Sequence, residues 1–288
     1  MTNLEERRIA SGFGFLQREA GFEIGESALL TYSASDSYLR ALVVGLTNTL
    51  AIAVVGIVLA TGLGTLIGLC RLSRNFLLRN LSAGYVEFVR NVPLLVQLFF
   101  WYAVITEGLP QAREALSPLP GVFLSNRGIF FPSFSGMPEL QGFNFTGGAA
   151  LSPEFAALLI GLAIYTAAFI AEIVRAGILA VDRGQTEAAH ALGLSRPQTL
   201  RRIVLPQALR VIVPPMTSQY LNLTKNSSLA VAIGYPDLVS IANTTMNQTG
   251  QSIEGIAIIM AVYLTISLSI SAFMNWYNRR VAMRGLAR

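Results

Sequence analysis

From Ala41 to Cys70 the chain carries no charged residue for 30 positions, about 45 Å of helix at 1.5 Å per residue. That exceeds a hydrocarbon core of about 30 Å, so this helix must tilt or project beyond the bilayer. Along it Gly56, Ala60, Gly64 and Gly68 recur every four residues, a small-residue stripe that lets a helix of the same bundle approach closely. A second span starts near Leu81, passes Glu87 and Arg90, and is uncharged from Asn91 to Thr106, with Pro93 predicting a bend or a re-entrant start. Residues 107–150 lose all helical period and, rich in Pro, Gly, Ser and aromatics, read as a long surface loop. A third span covers about 152–180. The fourth, 203–228, is interrupted: Pro214-Pro215 breaks the backbone ladder, and from Thr217 to Ser228 every residue except Leu221 and Leu223 carries a polar group. The fifth, 254–278, ends in Trp276-Tyr277 with Arg279, Arg280, Arg284 and Arg288 behind it, an aromatic belt followed by a basic cluster.

The pattern therefore predicts an all-α integral membrane protein. Its domain of five spans, at about 39–70, 81–106, 152–180, 203–228 and 254–278, lies within 39–280. A polar tail, 1–38, precedes it and a short one, 281–288, follows. Composition agrees, since 53% hydrophobic and 13% charged residues over 288 positions are too apolar for a soluble domain. A single Cys and a single His leave neither a disulfide framework nor a metal site to predict. Fourteen Arg fall on the side of the loops after the first and third spans and of the C-terminus, against six on the other side. This asymmetry predicts a periplasmic N-terminal tail and loop 107–150, and a cytoplasmic C-terminus. The net charge of +5 is thus an orientation signal rather than a nucleic-acid footprint. No apolar stretch follows the start, so residues 1–38 are not read as a signal peptide.

Between the third and fourth spans lies a polar, Arg-flanked insert. Read as a helix over 183–195, it places Ala188, Ala191, Leu192 and Ser195 at i, i+3, i+4 and i+7, a small-residue face suited to docking on another protein. Gly193 lets the chain turn. Ser195 with Gln198 three residues on, and Pro197 in the first turn, reads as the start of a second short helix.

Candidate chemistry is sparse. The sole Lys, Lys225, sits in the polar run of the fourth span, where a buried charge costs on the order of 3 kcal/mol and so calls for water, a carboxylate or substrate. Asn226, Ser227, Ser228, Gln219 and Tyr220 surround it in sequence and could hydrogen-bond a zwitterion, with Gln97, Tyr165 and Thr166 lining the same path from the second and third spans. A purely structural use of these groups, bonding neighbouring helices, stays open. Glu87 with Arg90 and Glu172 with Arg175 repeat one spacing at the inner ends of two spans, either as interfacial pairs or as a latch on the inner mouth. No Gly-x-x-x-x-Gly-Lys-Ser/Thr occurs and no Ser/His/Asp set is available, which predicts a non-enzymatic subunit without its own ATPase site.

The spacing Glu187-Ala188-Ala189, three residues, Gly193, nine residues, Ile203-x-Leu205-Pro206 resembles the EAA loop of ABC importer permeases. Arg90-Asn-Val-Pro-Leu-Leu-Val-Gln97, the run from Tyr165 to Gly177 and Asn222-Leu-Thr-Lys-Asn-Ser-Ser-Leu229 resemble the polar and general L-amino-acid branch of that family, over about residues 40–280. The resemblance implies a type I importer permease core whose coupling helix, through Glu187, Ala188, Ala189, Leu192 and Gly193, fits a cytoplasmic ABC ATPase dimer. It also implies a second homologous permease, a heterodimer being favoured over a homodimer, and a periplasmic amino-acid-binding protein. The chain itself would bind no cofactor, with ATP and Mg on the partner ATPase, and would sit as a multi-pass protein in a bacterial inner membrane. Its expected work is import of L-amino acids, polar and possibly of broad range. An ATP-independent transporter or channel, or a structural subunit whose partner holds the substrate site, are the alternatives. Longer members carry further apolar segments, upstream and between the second and third spans.

Overall fold

A computed structural model describes residues 12–27, 29–134 and 136–283, the side chains of the last three residues excepted. The expected tail 281–288 therefore lies outside the described side chains. In chain order the helices are α1 (Tyr38–Arg71), α2 (Phe76–Asn91) and α3 (Leu94–Thr106), then, after six short strands, α4 (Pro153–Leu179), α5 (Arg183–Ala191), α6 (Arg196–Thr199), α7 (Leu205–Asn226), α8 (Leu238–Thr249) and α9 (Ser252–Met283). Among the described residues, α1, α4 and α9 are long and apolar enough to cross a membrane. The α2–α3 pair also qualifies as a whole but bends by 106° at Val92-Pro93, where the sequence predicts a bend.

The chain divides into two compact units. The first takes the residues up to Gly56, Pro93–Leu162 and Asn226–Val262. Its core gathers Val44, Ile52, Leu98, Leu158, Tyr235 and Leu238, all with less than 2% of their surface exposed. Two buried polar side chains of α1 are paired there. Asn48 Nδ2 donates to the carbonyls of Glu26 and Pro236, each at 2.9 Å, and Thr49 Oγ1 accepts from the Leu238 amide at 3.1 Å. These bonds tie two separate stretches, at Glu26 and at Pro236 to Leu238, to α1, as a low-dielectric interior demands of any buried amide. The polar stretch 12–37 is folded: Phe15 is buried against Tyr38, and Ala20 and Gly21 donate to the carbonyls of Asp36 and Ala34.

Two expectations need correction in this unit. The protein is mostly helical but not all-α, because residues 116–151 form β1 (Leu116–Leu119), β2 (Val122–Ser125), β3 (Gly128–Phe131), β4 (Glu139–Gln141), β5 (Asn144–Thr146) and β6 (Ala149–Leu151). The sheet order is β1-β2-β3-β6, with β4 and β5 as a separate antiparallel pair. Phe145 stacks on Phe123 at 4.6 Å and packs against Phe130 at 4.9 Å, a small aromatic core of its own. The stretch between the fourth and fifth expected spans, to which the pattern assigns no element, holds the 12-residue helix α8, whose first turn is capped by Asp237 accepting from the Ser240 amide at 2.8 Å.

The second unit comprises Ile57–Val92, Ala163–Lys225 and the chain from Tyr263 onward. The small-residue stripe of α1 is buried throughout, and at its C-terminal half the reason is direct. A Cβ on Gly64 would lie 2.7 Å from Ile170 Cβ, and one on Gly68 would lie 2.8 Å from the Ala171 carbonyl, so only glycine lets α4 pass this close. Here too an expectation fails: α7 runs unbroken through Pro214 and Pro215. Both prolines face outward while Ile212, Val213 and Met216 are buried, so packing of the opposite face holds the helix despite two missing donors. The backbone changes later, at Ser227, where a 3-10 segment to Ile233 takes over.

Candidate functional site

The segment between α4 and α7 is built from local caps. Asp182 Oδ1 accepts from the Gly184 amide at 2.8 Å and starts α5. The helix ends at Ala191, four residues earlier than expected, because the Leu194 amide reaches the Ala189 carbonyl at 3.0 Å and the Gly193 amide that of His190 at 2.9 Å. This bonding pattern needs a left-handed residue, and Gly193 supplies it with φ +78°. Ser195, expected on the same helix face, thus belongs to the next element. There its amide donates to Gln198 Oε1 at 2.9 Å and α6 begins, followed by one π turn, Leu200–Val204, that leads into α7.

Of the five residues expected to face a partner, Glu187, Ala188, Leu192 and Gly193 are exposed and Ala189 is buried within its own unit. Leu192 is 82% exposed, at the C-cap of a nine-residue helix that has no large apolar side chain of its own. The element thus presents one large apolar side chain on a polar scaffold held at both ends.

The repeated Glu-x-x-Arg spacing has two outcomes. Glu172 accepts from Arg175 at both carboxylate oxygens and pairs with Arg71 at the end of α1, all three partly buried. Arg71 was legible in the sequence only as a loop charge, and its partner depends on the α1–α4 approach. By contrast Glu87 and Arg90 form no ion pair among the described residues, which corrects the expected symmetry. Glu87 is exposed, and the Arg90 guanidinium lies 5.0 Å from the centre of the Phe169 ring.

The expected substrate residues are dispersed. In the second unit Lys225 is exposed near the end of α7, and Tyr220 shares a 3.0 Å hydroxyl bond with Thr61. There also Tyr165 packs on Phe169 at 5.0 Å, Thr166 is buried and Gln219 is half-buried. In the first unit Gln97 and Ser227 are buried, whereas Asn226 and Ser228 are half-buried. The chain passes from one unit to the other between Lys225 and Asn226.

Sequence reasoning missed a cavity of about 430 Å³ in the first unit, walled by Glu23, Glu26, Ser152, Glu154, Ser240 and Thr244 among others. Glu23 and Glu26 lie on the stretch 12–37, which read as a tail, and Ser152 stands at the expected start of the third span, so no local signal announced the cavity. Burial pushes the Glu26 carboxyl above its ordinary value; the Ser152 hydroxyl, which donates to it, opposes the shift and the charge of Glu154 adds to it.

The family described as binding-protein-dependent transport system inner membrane component is matched over residues 54–283. The chain is 47% identical to the putative amino-acid ABC transporter permease protein YhdX of Escherichia coli (strain K12), over 98% of this chain and 88% of that protein. It is 44% identical to the general L-amino acid transport system permease protein AapQ of Rhizobium johnstonii, over 98% and 86% of the two chains. Among solved structures it resembles an amino acid ABC transporter crystallised with histidines, with a TM-score of 0.62 at 28% identity, covering 84% of this chain and 95% of that one.

Proposed function

We propose a division of labour within this chain, which belongs to the family of inner membrane components of binding-protein-dependent transport systems and is the amino-acid permease subunit of an ABC importer. As such it works in a multi-pass membrane assembly with ATPase and permease partners. Within that role, α5 is the coupling helix. The observation that carries this reading is Leu192, 82% exposed at the C-cap of a helix that carries exposed Glu187 and Ala188 and is fixed by Asp182 and Gly193. A rigid, capped helix transmits displacement, and one exposed apolar side chain at its end suits a groove of a cytoplasmic ATPase. ATP and Mg belong to that ATPase dimer, and this chain hydrolyses nothing.

The five-span reading draws support from three apolar helices, the bent α2–α3 pair and α7. The Arg distribution favours a cytoplasmic side at α5 and at the C-terminus, with residues 12–37 and the strands 116–151 in the periplasm. There a binding protein delivers polar L-amino acids. The exposed Lys225 meets the substrate carboxylate, Asn226, Ser228 and Gln219 add neutral hydrogen bonds, and Tyr220, Tyr165, Thr166, Gln97 and Ser227 hold the surrounding helices. A second, different permease completes the pathway.

The test is ATP-dependent uptake of labelled L-amino acids into proteoliposomes holding this chain with its permease and ATPase partners and binding protein. Glu187→Arg is expected to abolish uptake without preventing membrane insertion, and Lys225→Ala to lower it with assembly intact. Uptake that ignores both substitutions contradicts the assignment.

A further inference from the structure

We propose that the second unit carries a site for the phosphate of an anionic phospholipid in the groove beside α5. The groove, of about 370 Å³, draws Arg74 from the α1–α2 link, Thr186 and His190 from α5, and Arg196 from α6. That volume falls in the range of small-ligand sites, about 300–1,000 Å³. No carboxylate stands in its wall, and neither Arg74 nor Arg196 makes an ion pair among the described residues. Two guanidiniums from separate segments line one groove, so an anion seated there can accept paired hydrogen bonds from them. His190 Nδ1 lies 3.2 Å from the Leu194 carbonyl and donates to it, which leaves Nε2 as the nitrogen for a ligand.

Leu200 and Val204 distinguish a lipid from a free anion. They bound the same groove at the two ends of the π turn, and Leu200 is 55% exposed. A π turn widens the helix and is frequent at binding sites. The two apolar side chains stand where α7 begins, beside the headgroup contacts, so glycerol and acyl carbons would have a surface to lie on while phosphate meets arginine. The inference rests on reading this face as cytoplasmic, where anionic headgroups concentrate and basic pockets between helices take them up.

The experiment uses the whole importer complex in nanodiscs of mixed phosphatidylglycerol and phosphatidylcholine, with lipid retained after release read by native mass spectrometry. Wild-type complex is expected to retain phosphatidylglycerol, and Arg74→Gln with Arg196→Gln to lose it by at least about tenfold. The Arg74→Lys, Arg196→Lys pair should restore it, and Arg79→Gln, outside the groove, should leave it unchanged. Retention unaffected by the double Gln variant, or lost equally in Arg79→Gln, overturns the site. Displacement of the lipid by millimolar inorganic phosphate overturns the lipid as its source. Loss of the ATPase from the double variant with lipid unchanged makes the groove a protein contact and equally overturns the proposal. Uptake by the wild-type complex, measured alongside, tests the importer reading separately.

Discussion

Glu87 with Arg90 and Glu172 with Arg175 share one spacing on two helices of the same unit, yet only the second builds an ion cluster. The difference lies in what stands opposite. Gly64 and Gly68 bring α1 against α4 closely enough for Arg71 to reach Glu172, and one carboxylate then holds two guanidiniums. Opposite α2 stands Phe169, whose ring takes the Arg90 guanidinium and leaves Glu87 in the open. An i, i+3 pair in a sequence is thus an option, and the third partner decides whether it becomes structure.

Five substitutions break or sharpen this contrast. Glu172→Gln should destabilise most, by about 2–3 kcal/mol, because two partly buried guanidiniums lose charged acceptors, while Glu87→Gln should stay within about 0.5 kcal/mol. Thermal unfolding of the two variants in one detergent checks both. Gly68→Ala should cost about 1–3 kcal/mol by forcing α1 off α4, whereas Gly84→Ala on α2, with nothing within 4 Å of its new Cβ, should gain up to about 1 kcal/mol. If Gly68→Ala leaves stability unchanged, the close approach does not create the cluster. Gly193→Ala should cost about 1 kcal/mol, a local effect of its φ of +78°, seen as faster amide exchange across α5.

The smallest effect concerns pH. Glu26 has a folded-state value raised above that of the unfolded chain, so the fold binds this proton more tightly. Stability should therefore fall as pH rises from the ordinary carboxyl range through the raised value, and Glu26→Gln should flatten that slope. An unchanged slope in the variant would remove Glu26 as its cause.

Much of this was legible along the chain. The charge-free run from Ala41 to Cys70 matches α1 to within three residues at its start and one at its end, because a bilayer-length apolar run has few other uses. Gly193 and the Ser195 to Gln198 spacing predicted their turns because caps depend on neighbours a few positions away. Pro93 likewise marked the bend. What stayed hidden depended on distant packing. Strands of three or four residues such as Asn144–Thr146 are too short to show alternation, and their core rests on Phe123, Phe130 and Phe145 meeting across turns. Helix α8 is rich in Ser, Asn, Thr and Gln, with only Leu238, Ile241, Ala242 and Thr245 turned inward. Pro214-Pro215 misled because a local rule was overridden by the buried face behind it. The partner of Arg71 lies 101 positions away, beyond any periodicity.

We propose that the Arg71, Glu172, Arg175 cluster, and not the Glu87, Arg90 repeat, holds the permease in its resting arrangement. The direct measurement is ATP hydrolysis by the reconstituted importer without binding protein, for Glu172→Gln and Glu87→Gln side by side, with amino-acid uptake measured on the same vesicles. Glu172→Gln should raise idle hydrolysis several-fold and lower uptake, with Glu87→Gln like wild type. Equal idle hydrolysis in both variants would contradict the claim and leave the cluster as a contact that stabilises the helices alone.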